Sequence, residues 1–161
     1  MKTLKDLMIH EIQDLISAES QLIDAMPQIK ESVTDHELKS MLDELLVNTE
    51  KHKNRLAEAC AKLNVDAEAE TCKAMAGLIR ETKDMIKMEA DDEVKDAGMI
   101  AEMQRIEHYQ IAGYGSACTY AEMLGEETVL QLLKATLSEE KEADEKLKKL
   151  AKAKINQDAM A

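Results

Sequence analysis

Apolar residues recur at three- and four-residue intervals along most of the chain, the spacing of one face of an α-helix. The first stripe runs Leu4, Leu7 or Met8, Glu11 or Ile12, Leu15, Glu19, Leu22, Met26 and Ile29. Thr3 and Asp6 stand ahead of it at capping-box spacing, and Pro27 predicts a kink or a break in its last turn. A second stripe starts at Thr34, with Glu37 as capping partner. It continues Leu38, Met41 or Leu42, Leu45, Asn48 or Thr49, His52, Leu56 and Leu63. Residues 65–70 form a polar connector. TCKAMAGLIRETKDMIKM then reads as a short amphipathic helix, with Cys72, Met75, Ile79 and Ile86 on one side. Asp91 and Asp92 provide the N-cap of a third long helix. Its stripe is Ile100, Met103, Glu107, Gln110, Tyr114, Ala117, Ala121 and Leu124, and Gly125 ends it. The fourth carries Val129, Leu133, Leu137, Glu140, Asp144, Leu147 and Leu150.

This order predicts an all-α four-helix bundle with one long crossover that carries a short extra helix. Short links make each sequential pair of long helices antiparallel. The crossover of about 25 residues can run the length of the bundle, ~42 Å for a helix of about 28 residues at ~1.5 Å per residue. The 161 residues fit a single domain, 1–161.

Composition narrows the picture further. Phe and Trp are absent, and 5 Gly with 1 Pro leave little turn chemistry for an all-β fold. The net charge of -12 repels phosphate backbones, so nucleic acid is not an expected partner. No apolar run approaches the ~18 residues of a membrane span, and the charged N-terminus does not read as a signal peptide. Cys60, Cys72 and Cys118 are widely spaced and odd in number, which fits neither a zinc pattern nor a disulfide framework. The expected location is the reducing cytoplasm, with each thiol a small buried hydrophobe.

The candidate chemistry lies in what interrupts the stripes. Glu19, the pair Asn48 and His52, Glu107 with Gln110, and Glu140 with Asp144 fall near the middle of the four long helices. A single polar residue can lie at the edge of a stripe and reach water. Four interruptions at matching depth predict one shared polar site. Buried unpaired carboxylates cost several kcal/mol each and repel one another. One hard cation, or a pair, resolves this by pairing their oxygens, and carboxylate with imidazole suits iron, manganese or zinc. No H-E-x-x-H, G-x-S-x-G or Gly-rich phosphate loop is present. His10, His36 and His108 read as surface residues, Glu139 and Glu142 as flanks of an inward Glu140.

SAESQL around Glu19, TCKAMAGLI at 71–79, RIEHYQIAGYGS at 105–116 and TLSEEKEAD at 136–144 resemble the ferritin-like stress proteins typified by YciF and YciE, over residues 3 to 152. The resemblance implies a ferritin-like bundle, a homodimer and a dinuclear iron or manganese site. Residue by residue, it places ligands at Glu19, Glu107 and Glu140, with Asp144 beside the last. It also places Asn48 and Gln110 where the family usually has Glu, with His52 one turn on as partial compensation. Tyr114 stands within reach of a hydrogen bond to the site.

Two functions follow. One is a metal-binding stress protein whose paired ions meet dioxygen or peroxide. The other is a non-enzymatic dimeric bundle whose vestigial site leaves it a structural or interaction module. Met75, Leu78, Ile79, Met85 and Ile86 of the short helix add apolar surface for a dimer contact.

Overall fold

The computed structural model describes residues 1–68 and 70–161. The elements are α1 (Leu4–Ser32), α2 (His36–Leu63), α3 (Lys73–Lys87), α4 (Asp92–Leu124) and α5 (Glu127–Leu150), then a π-helical turn (Ala151–Ile155) and α6 (Asn156–Asp158). Helices α1, α2, α5 and α4 pack in a ring, each against the next, and α3 lies outside on α1 and α4. All four neighbouring pairs run antiparallel. Across α1 and α4, Tyr109 bonds Asp14 while Asp96 bonds Thr34. Across α2 and α5, Glu139 bonds His52 while Lys146 bonds Glu44. This is the crossover bundle that the stripes predict.

The start of α1 follows the capping box. The Thr3 hydroxyl accepts from the Asp6 N–H, and the Asp6 carboxylate accepts from the Thr3 N–H. Of the kink or break expected at Pro27, the break does not occur, for α1 continues through it to Ser32. Pro27 is exposed while Met26 and Ile29 are buried. Water can bond the carbonyl that its missing N–H leaves free, and core packing holds the last turn. The N-cap of α2 is Asp35, one residue beyond the expected Thr34, and its side chain accepts from Glu37 N and Leu38 N. Thr34 instead joins a clasp, in which its N–H and hydroxyl and the N–H of Asp35 all donate to the buried Asp96 of α4. That clasp fixes the α1–α2 turn against the start of α4. Gly125 ends α4 at φ 70, a conformation only glycine adopts freely.

The apolar side chains of α3 are used within the chain. Met75 and Ile79 are buried, and Leu78, Met85 and Ile86 pack half-buried on the same core. Much of the apolar surface that the sequence assigns to a dimer contact is thus covered within the chain. Gly113 lets α4 approach α1 closely, since a Cβ there would lie 2.9 Å from Leu15 Cδ2.

The core comes in two apolar clusters. One gathers around Leu22, Met26, Leu42, Met103 and Leu147, the other around Met8, Ile12, Leu56, Tyr114 and Leu133. Between them lies a buried polar layer of Glu19, Thr49, His52, Glu107, Gln110, Thr136 and Glu140. Among the described residues no helix is long and apolar enough to cross a membrane.

Candidate metal centre

Each long helix contributes to the polar layer because its stripe carries a polar residue at mid-length. The ligand atoms of Glu19 on α1, His52 on α2 and Glu140 on α5 all lie within 4.8 Å of one another. His52 Nδ1 stands 3.0 Å from Glu140 Oε1 and 3.7 Å from Glu19 Oε1. Despite the 3.0 Å approach, neither atom has a hydrogen-bond partner among the described residues, and both are buried. They share a neighbourhood without satisfying each other. Glu19 Oε2, Glu107 Oε2 and both amide atoms of Gln110 are orphaned in the same way. So many unpaired buried polar atoms in one layer are exceptional in a folded protein and need an explanation.

Two contacts pin the layer from outside the cluster. The Tyr114 hydroxyl donates to Glu19 Oε1 at 2.5 Å. On the far side of His52, Nε2 lies 2.8 Å from Glu139 Oε2. Arg55 grips that carboxylate with two N–H groups, at 2.7 Å and 2.9 Å. It also donates to the buried Thr136 hydroxyl at 3.3 Å.

The electrostatics follow from burial. Removal from water pushes the Glu19 carboxyl up to about 8; the Tyr114 bond opposes this and the Glu107 charge adds to it. Burial, then the Glu19 charge, raises Glu140 to about 8. Glu107 is raised well above the carboxylate range, by burial first and by Glu140 second. Glu139 moves the other way, held down to about 2 chiefly by the Arg55 hydrogen bonds. Burial lowers His52, against the pull of Glu139, and keeps the ring neutral. Three carboxyls forced toward neutrality around a neutral imidazole form a site that a cation would relieve.

The structure brings Glu19, His52, Glu107, Gln110 and Glu140 together and leaves two expected members out. Asn48 is half-buried at the margin between α2 and α5. It lines a cavity of about 50 Å³ with Glu44, Glu139, Glu142 and Lys146, and its oxygen accepts weakly from Lys51. Thr49 takes the inward place, buried in line with Leu42, Leu45, His52 and Leu56, and Asn48, ~100° round the helix from Thr49, falls at the edge of that stripe. Asp144 is buried but turned toward α4. It accepts from Gln104 at 2.8 Å and lies 3.3 Å from His108 and 3.2 Å from Lys148. Those partners outweigh its burial and lower its pKa, so no orphaned oxygen faces the cluster. The sequence reading missed Glu139 and Arg55 as supports of His52. The only signal was their spacing from known members: Arg55 lies one turn from His52, and Glu139 precedes Glu140.

A family model described as "Domain of unknown function (DUF892)" matches residues 3–160. The chain belongs to this family. Within DUF892, it is 38% identical over 160 residues to protein YciF of Escherichia coli (strain K12), spanning 99% of this chain and 96% of YciF. The crystal structure of the E. coli stress protein YciF superposes with a TM-score of 0.93, covering 97% of this chain and 99% of that one. YcfI of Rhodopseudomonas palustris, 36% identical, matches with a TM-score of 0.89 over 92% of this chain and 94% of that one. A protein of Xanthomonas campestris pv. campestris, 18% identical, shares the fold at a TM-score of 0.74, covering 94% of this chain and 92% of its own. The DUF892 chain is therefore a YciF-like helical bundle with a buried Glu–His–Glu group able to hold a metal ion.

Proposed function

We propose that this protein is a ferritin-like, metal-binding stress protein whose bundle core takes iron or manganese. The primary position is Glu19, His52 and Glu140. A second, weaker position lies beside Glu107, where Gln110 offers an amide oxygen but no charge. One observation carries this reading: His52 Nδ1 and Glu140 Oε1 lie 3.0 Å apart, buried, and neither has a hydrogen-bond partner among the described residues. Two ligand atoms aimed at a common point have that arrangement. A pair of redox-active ions supplies reactivity toward dioxygen or peroxide in such a core. The chain's own part is to position donors, exclude water and set the charge. The description of YciF as a stress protein agrees with a role under stress, and the reducing cytoplasm suits the three free, buried cysteines.

Anaerobic titration of metal-stripped protein with Fe(II) and Mn(II) tests the proposal. One ion per chain should bind more tightly than a second, and Glu19→Gln or Glu140→Gln should abolish the tight step. Absence of binding by either ion would favour the other reading, a non-enzymatic structural or interaction module. That reading draws on Gln110, whose two amide atoms find no partner, and on YcfI, which carries a provisional description as a structural protein.

A further inference from the structure

We propose that Glu139, clamped by Arg55, is a positioning residue that holds His52 in the Nε2–H form, so that the Nδ1 lone pair opens onto Glu19 and Glu140 as a nitrogen ligand. The inference rests on the metal-site reading above but concerns the ring itself.

Both oxygens of Glu139 already accept N–H groups of Arg55, so the carboxylate presents only lone pairs to its other neighbours. His52 Nε2 sits 2.8 Å from Glu139 Oε2. At that distance one of the two atoms must carry the hydrogen, and Glu139 has none to give. The ring hydrogen is therefore on Nε2. The opposite tautomer would set lone pair against lone pair at Nε2. It would also aim an Nδ1 hydrogen into the layer, where Nδ1 makes no hydrogen bond although the Glu140 oxygen lies 3.0 Å away. Both penalties vanish with Nδ1 bare.

The helices supply this arrangement from adjacent positions. Glu139 and Glu140 are neighbours on α5 and point ~100° apart. One enters the core as a ligand while the other meets the outer edge of the imidazole. His52 and Arg55 are three apart on α2, so both reach the same stretch of α5. The Thr136 hydroxyl, one turn before Glu139, receives a third Arg55 hydrogen bond and helps fix the guanidinium plane. A carboxylate on the far nitrogen of a ligating histidine is the usual device for fixing ring orientation and raising donor strength. Here it gives a carboxylate-rich site one nitrogen, which moves its preference from calcium and magnesium toward divalent transition ions.

The test uses the metal-free full chain with ¹⁵N-labelled histidine. Long-range ¹⁵N–¹H spectra report which ring nitrogen carries hydrogen, and the His52→Gln variant identifies the His52 signals. The expected wild-type ring has hydrogen on Nε2 alone. Glu139→Ala should lose that preference. Glu139→Gln, whose carbonyl oxygen can stand where Oε2 stood, should restore it. Hydrogen on Nδ1 or on both nitrogens in the wild type, or an unchanged ring in Glu139→Ala, overturns the inference. Co(II) absorption on the same samples is a separate readout. Affinity should fall ~10–100-fold in Glu139→Ala and recover largely in Glu139→Gln. If the ring behaves as expected and no sample binds Co(II), the positioning role stands and the metal-site reading falls.

Discussion

Tyr114 on α4 donates its hydroxyl hydrogen to Glu19 on α1 at 2.5 Å, with both side chains fully buried. It ties two neighbouring helices through one of the core carboxyls and opposes the effect of burial on Glu19. Tyr114→Phe keeps the ring and its packing but leaves Glu19 Oε1 without a donor. The expected loss is about 1–3 kcal/mol, the usual cost of stranding one buried polar partner. Urea unfolding should show a lower midpoint at unchanged slope. A variant as stable as the parent would mean that Glu19 finds another donor.

The buried carboxyls set a pH dependence of defined sign. Glu19 and Glu140 have folded values near 8 against 4.5 when unfolded. Between these limits the folded state binds more protons than the unfolded state, so stability falls as pH rises. His52 acts in the opposite sense, but only below its unfolded value of 6.5. Glu139, lowered to about 2, contributes stability that is lost only as pH drops below 4.5. The window from 6.5 to 8 therefore belongs to the core carboxyls. Thermal melts of metal-free protein should show Tm decreasing across it. With a divalent ion bound the carboxyls stay ionised and paired, and the decrease should disappear or reverse.

Replacing the amide in the layer separates stability from binding. Gln110→Glu adds a fourth carboxyl to a buried group that already repels itself. The metal-free protein should lose stability, while Fe(II) or Mn(II) affinity should rise, since ligand charge offsets the dehydration of the ion. Asn48→Glu should change neither by much, because position 48 faces the α2–α5 margin rather than the cluster. Calorimetric titration beside a thermal melt reads both quantities on one sample. Equal gains in affinity from the two substitutions would place Asn48 inside the site after all.

The stripes carried the bundle, its crossover and the depth of the polar layer, since 3.6-residue periodicity reports which face of each helix is inward. They did not decide between adjacent residues. Asn48 and Thr49 fit the second stripe about equally, and chemical interest favoured Asn48. The structure buries Thr49, whose hydroxyl donates to Leu45 O, as a helical threonine in an apolar seam commonly does. Asp144 lies on the correct stripe but at its edge, where Gln104, His108 and Lys148 compete for it. Periodicity holds no information about such partners. Arg55 and Glu139 were illegible for the same reason, because their role depends on which long side chains from two helices meet.

The homodimer implied by the family resemblance is tested by light scattering at micromolar concentration. The expected mass is twice the chain's 18.0 kDa. The apolar face of α3 is largely covered within the chain, so polar-for-apolar changes at Met75 or Ile79 should unfold the protein rather than merely dissociate it. A monomer mass for the intact chain would remove the dimer from the account.

The polar layer also divides the molecule mechanically. Apolar contact is the main source of cooperativity in a helical bundle, and here it is interrupted at mid-height by seven polar side chains. The halves around Met26 and Met8 are joined by continuous helices but share little apolar seam. In the metal-free chain, backbone amides of the two halves should therefore exchange with solvent as two populations with different protection. An ion gripped by α1, α2 and α5 ties the halves at their seam, and occupancy would merge them into one cooperative unit. Metal content would then be read out as rigidity along the whole length of the bundle.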